Sequence, residues 1–92
     1  MAVFAVQYTY TNDTDHVNAI RPIHREWLQD LLEKGDLLAS GPMVDYPAAL
    51  LIFRADSLDA VNQLLDQDPF DISGVITERE VREWNPVFGP FN

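Results

Sequence analysis

The chain has no cysteine, which rules out a disulfide framework and a thiolate metal site and makes a cytoplasmic address the default expectation. Cations are scarce, with six Lys and Arg against fifteen Asp and Glu, a formal charge of −9. No basic stripe is available to neutralise a phosphate backbone, so nucleic acid is excluded as a partner. The same negative field opposes anionic membrane surfaces, and no apolar run approaches the roughly 20 residues of a spanning helix. There is no Gly-rich phosphate loop, internal repeat, linker or low-complexity stretch. The opening Met1-Ala2-Val3-Phe4-Ala5-Val6 is too short for a signal peptide, lacks its positive flank, and leads directly into a strand pattern.

What is present suits one small water-soluble α+β domain over 1–92, with 47% hydrophobic residues, an ordinary fraction for a globular fold. Residues 3–10 are β-branched and aromatic, predicting a strand that Thr11-Asn12-Asp13 breaks. Pro22 suits a helix's first turn and Gly35 its stop, which predicts a helix near 21–34. Residues 37–40 read as a second strand ended by Gly41-Pro42, and 48–53 as a third, apolar on both faces. Ser57 can cap a second helix over 58–65, with Asp68-Pro69 as its stop. Residues 74–83 alternate as a fourth strand, and the aromatic, proline-broken tail beyond Trp84 reads as irregular.

The order βαββαβ predicts a ferredoxin-like fold, a four-stranded antiparallel sheet with both helices on one face. Two helices cover only one face, yet the third strand is apolar on both. The simplest cover for the second face is another copy of the same sheet, so a two-fold homodimer is expected.

On a helical wheel at about 100° per residue with Ile23 as origin, Trp27, Leu31, Leu28 and Leu32 fall at roughly 40°, 80°, 140° and 180°. His24 falls at about 100°, in the middle of this apolar stripe. By the wheel alone it is either a satisfied core histidine or a functional one. Topology gives it company, because the first helix's start, Ser40-Gly41-Pro42 and Asp68-Pro69-Phe70 all fall at one end of the domain. A carboxylate bonded to the ring would fix its tautomer and raise its basicity, as a general base near neutral pH requires. Asp68 is the natural partner, although it could merely close the turn before Pro69.

Arg21, at the stripe's edge, could bind a substrate anion or pair with a surface acid. Tyr8 and Tyr10 suit packing better than acid catalysis. His16, among Asp13 and Asp15, reads as solvated. With two histidines and no cysteine a structural zinc site is not expected, though His24, Asp68 and a further carboxylate could hold a metal. Ser40 and His24 could make a nucleophile pair, but no G-x-S-x-G surrounds Ser40.

Taken together, Arg21-Pro22-x-His24, Leu28 and Leu31, Gly35 with Leu37, Ser40-Gly41-Pro42, Asp68-Pro69-Phe70, Gly74-Val75 and Val81 resemble the YciI-like (YCII-related) family over nearly the whole chain. The resemblance implies a dimeric α/β-barrel of ferredoxin-like protomers, akin to muconolactone isomerases and small monooxygenases. It also implies an active-site His–Asp pair that maps onto His24 and Asp68. A related dehydrochlorinase of chlorinated hydroquinone breakdown suggests elimination or isomerisation. Here Met43 to Pro47 is short and no glycine opens the third strand, so a pocket wall formed there in relatives is expected to differ.

Two functions from different classes follow. One is a cofactor-free enzyme in which His24, oriented by Asp68, moves a proton on a small cyclic or carbonyl substrate. Arg21, Tyr8, Ser40, Gly41, Pro42 and Phe70 are then the expected substrate contacts. The other is a dimer that binds or senses a small ligand in the same cleft without catalysis. A third, weaker in support, is a structural domain that associates with other proteins.

Overall fold

The computed structural model describes residues 1–92. Its elements are β1 (Ala2–Tyr10), α1 (Thr14–Lys34), β2 (Leu37–Pro42), β3 (Ala48–Ala55), α2 (Leu58–Leu65), a single turn α3 (Pro69–Ile72) and β4 (Ile76–Trp84). The strands form one antiparallel sheet in the order β2-β3-β1-β4, which is the ferredoxin-like topology with one added helical turn. No helix is long and apolar enough to cross a membrane.

Strand alternation decides where the core sits. Phe4, Val6 and Tyr8 of β1 and Ala49, Leu51, Phe53 and Ala55 of β3 point to one face and are buried with Leu31 of α1 and Val61 and Leu65 of α2. Both long helices therefore cover that face, where each large apolar side chain contributes about 1.5–3 kcal/mol by burial. The opposite face carries Val3, Ala5, Leu50 and Ile52 at its centre, by the same alternation and register. Leu50 is 37% exposed there, so the two-sided apolar character expected of the third strand is present.

Helix α1 departs from the sequence expectation, beginning at Thr14 rather than near residue 21, so that Pro22 lies inside it instead of opening it. The missing Pro22 N–H removes the bond that would have reached the Asn18 carbonyl. Tertiary anchors hold the preceding turns nonetheless. The Asp13 side chain caps them by accepting from the His16 N–H at 3.2 Å. Val17 is buried with Phe70 and Val75. The His16 ring, expected to be solvated, is half-buried with Nε2 bonded to the Ser73 carbonyl at 2.8 Å.

The remaining boundaries shift by a residue or two. Gly35, at φ 86°, adopts the left-handed conformation that ends α1. Strand β2 runs through Gly41-Pro42, and on an edge strand a terminal proline costs little. Ser57 caps α2 as expected, accepting from the Ala60 N–H at 3.1 Å. Asp68 does more than stop a helix, because it caps α3. The Val75 N–H closes that turn on the Phe70 carbonyl, and β4 accordingly starts at Ile76.

Candidate active site

Three elements meet at Asp68. Its backbone is extended, as the residue before a proline prefers, and this leaves its side chain free to cap α3 by accepting from the Phe70 N–H at 2.9 Å. The same oxygen, Oδ1, lies 2.7 Å from His24 Nδ1 on α1, and Oδ2 accepts the Tyr8 hydroxyl of β1 at 2.9 Å. Asp68 has no exposed surface and His24 only 5%. A buried carboxylate is tolerated when donors surround it, and here there are three.

This network assigns the imidazole tautomer. Phe70 N–H and Tyr8 O–H occupy the carboxylate as donors, so the carboxylate acts as acceptor and Nδ1 carries the hydrogen that points to it. Nε2 then presents a lone pair. It has no hydrogen-bond partner within the chain, and no buried side-chain nitrogen or oxygen is left unsatisfied, so Nε2 opens toward the adjacent cavity. The Phe70 ring stacks on the imidazole at 3.8 Å between centroids and 9° between planes, with Trp27 further out at 6.4 Å. The imidazole is therefore held in orientation by a hydrogen bond and in plane by a stacked ring.

The cavity has a volume of about 350 Å³ and runs between one flank of α1 and the edge strand β2, with Tyr10 and Phe70 at its end. His24, Arg21, Ser40, Gly41, Pro42 and Phe70 all line it, so the three features placed at one end of the domain by topology do converge. Tyr8 is a correction, since it does not reach the cavity. Facing the helices from the central strand β1, it is fully buried beneath Asp68. Burial and the Asp68 carboxylate push its phenol far above the usual tyrosine range, so it stays a neutral donor. Asp68 likewise lies behind His24 rather than in the wall.

Sequence reasoning missed Tyr10, Arg25 and Gln29, and the apolar lining of Leu28, Leu32, Leu37, Ala49 and Leu51. Arg25 stands one helical turn from Arg21 on the flank that β2 faces, but it falls outside the apolar stripe of the wheel, so no sequence signal marked it. No third histidine, aspartate or glutamate joins His24 and Asp68, and no cluster of three such residues occurs anywhere in the chain, so the conceivable metal set is not assembled. Ser40 lines the cavity without bonding to His24, whose hydrogen bond is to Asp68. A second hollow of about 190 Å³ adjoins the first across Tyr10, Arg21 and Pro42, walled by Met43, Tyr46 and Pro47 of the short loop.

The sequence matches the YCII-related domain over residues 1–85. Protein YciI of Escherichia coli O6:H1 is 32% identical over 80 residues, covering 76% of this chain and 82% of that protein. Among solved structures, 5-chloro-2-hydroxyhydroquinone dehydrochlorinase from Burkholderia phenoliruptrix AC1100, in complex with 2,5-dihydroxybenzoquinone, is similar with a TM-score of 0.79 at 22% identity, covering 90% of this chain and 93% of that one. Muconolactone isomerase is similar with a TM-score of 0.73 at 19% identity, covering 98% and 97%. At these identities the two structures share the fold alone.

Proposed function

The chain belongs to the YCII-related domain family, and from that premise we propose that it is a cofactor-independent enzyme transferring a proton on a small cyclic or carbonyl substrate, with His24 as base and Asp68 as its orienting partner. The observation that carries this reading is the buried Tyr8–Asp68–His24 chain, which leaves one basic nitrogen facing a cavity. A base positioned this way is worth about 10²–10⁴-fold in rate. Nε2 takes a proton from a carbon beside a carbonyl; the C–H pair becomes the enolate C=C bond, and the carbonyl π pair moves onto the oxygen. The enolate then collapses in one of two ways. It expels a leaving group from the neighbouring carbon as an anion, an elimination, or it recovers the proton from the imidazolium at a different carbon, an isomerisation.

The similar structures include a dehydrochlorinase and a lactone isomerase, one for each outcome, which supports the reaction class without naming a substrate. The remaining site contacts fall to Arg21, Ser40, Gly41, Pro42 and Phe70 in the cavity wall. We place a second copy of the chain on the sheet face around the exposed Leu50, and a monomeric mass by light scattering at micromolar concentration would refute that placement.

The test of the chemistry is deuterium uptake in D2O from muconolactone and 5-chloro-2-hydroxyhydroquinone, followed by NMR and mass spectrometry with wild-type protein and His24→Ala. Uptake or product formation that depends on His24 is expected. Equal behaviour of the two proteins overturns the reading and leaves a dimer that binds ligand without transforming it.

A further inference from the structure

Three polar groups of the cavity wall have no acceptor within the chain. Arg21 and Arg25 line it one helical turn apart, with Cβ atoms about 6 Å from each other. Neither makes a salt bridge or a side-chain hydrogen bond, whereas Arg79 is paired with Asp66 and Asp71 and Arg82 with Glu80. In a chain with fifteen acids and six cations, carboxylates are plentiful and guanidinium groups scarce. The third group is the Tyr10 hydroxyl, which likewise bonds to nothing in the chain and whose ionisation burial pushes above the ordinary tyrosine range. The rest of the lining is mostly apolar, with Leu28 and Leu32 further along the same flank of α1 and Leu37, Ala49 and Leu51 from the sheet.

We propose that Arg21 and Arg25, with the Tyr10 hydroxyl beside them, form a carboxylate-recognition site, so that the ligand of this cavity is a small cyclic carboxylic acid bound as its monoanion. The assignment rests on the proposed proton-transfer reading only for the position of the reacting carbon, and the binding geometry stands apart from it. A guanidinium offers a planar fork of donors that matches a carboxylate, and two of them bracketing one anion fix its orientation. The hydrocarbon ring then lies on the leucine and alanine wall and presents an edge to His24 Nε2. A volume of about 350 Å³ is at the lower end of the roughly 300–1,000 Å³ of ligand pockets, which suits a single ring rather than a nucleotide or an acyl chain.

The field of the protein makes this choice informative. With a formal charge of −9 the chain as a whole repels anions, so a local pair of cations at a concave apolar site acts as a selective receptor instead of part of a general basic surface.

Benzoate and its uncharged isostere benzamide are the probes, titrated by calorimetry into the full chain and into Arg21→Gln, Arg25→Gln and the control Arg82→Gln. Benzoate is expected to bind at least tenfold more tightly than benzamide. Each arginine variant should lose about tenfold of that affinity, as the loss of a charge-assisted hydrogen bond predicts. Arg82→Gln, on β4 and outside the cavity, should keep it. Circular dichroism verifies that the exposed-side variants remain folded. Equal affinity for the two probes, including no measurable binding of either, overturns the assignment, as does wild-type benzoate affinity in both arginine variants. Retained benzoate selectivity with no His24-dependent deuterium uptake would leave the carboxylate site standing and remove the proton-transfer reading, so the two failures are distinguishable.

Discussion

Replacing Asp68 by asparagine separates orientation from charge. The two share a shape, but an amide has one acceptor and one donor end, so the question is which end faces His24. The Phe70 N–H decides, because it points at the same Oδ1 position that His24 occupies, at 2.9 Å. An amide NH2 there would set two donors against each other. The oxygen must therefore face Phe70 and His24, and the NH2 faces Tyr8, whose hydroxyl can turn to accept it. The imidazole keeps its hydrogen on Nδ1, and only the negative charge is lost.

Charge-assisted hydrogen bonds are roughly twice as strong as neutral ones, a difference of about 1–2 kcal/mol for one bond. Activity should fall about 5–30-fold. That is far less than the roughly 10⁴-fold seen where the same substitution reverses the tautomer in a serine protease triad. The assay is two-bond ¹H–¹⁵N correlation NMR of the His24 ring in wild type and Asp68→Asn, with the isotope-exchange rate measured alongside. Protonated Nδ1 in both proteins is the expected result. A variant carrying its hydrogen on Nε2 would refute the reasoning, as would a loss beyond about 10³-fold with the tautomer retained.

Removing the Tyr8 hydroxyl with Tyr8→Phe leaves a fully buried carboxylate short of one donor; thermal denaturation should show a loss of about 1.5–3 kcal/mol, and unchanged stability would mean that Asp68 is not charged in the fold. Tyr8 and Tyr10 both have phenols raised above the unfolded value, so the folded state is favoured fully below about pH 10 and loses stability as pH climbs beyond it. Ultraviolet titration of phenolate formation should register these two only with unfolding, and early ionisation of both would contradict their burial. Pro22→Ala restores a helical N–H in an exposed position of α1 and should raise stability by about 1–3 kcal/mol; a lower melting temperature would show that the ring itself packs usefully.

How far the sequence carried depended on whether a feature was local. Strand alternation in residues 3–10 and 48–53, the Ser57 cap and the Gly35 stop are decided within a few residues, and the structure reproduces them. Pro22 misled because its local rule was overridden by contacts from far along the chain, those of Val17 with Phe70 and Val75 and of His16 with Ser73. His24 could be found from its place on an apolar helix face, since burying imidazole there needs a reason. Ile23 and Leu32, at the edges of the same stripe, are 55% and 48% exposed, so the buried arc is narrower than the wheel implied and centred on His24 itself. The role of Tyr8 was not legible, because nothing near it in sequence shows that a carboxylate sixty positions later will accept its hydroxyl. Arg25 was hidden for another reason: it lies on the polar arc, and only the seating of β2 alongside α1 makes that arc a wall.

The Tyr8–Asp68–His24 chain also bears on when during folding the protein can become competent. Its members are separated by 60 and 44 positions, so the bonds close only after the first strand, the first helix and the α3 turn have docked together. Before that moment Asp68 has no reason to leave water and the imidazole has no fixed tautomer. A nascent or partly unfolded chain thus lacks the oriented imidazole, which forms with the same docking step that closes the core. Under the proposed function, a substrate meets either the finished site or none.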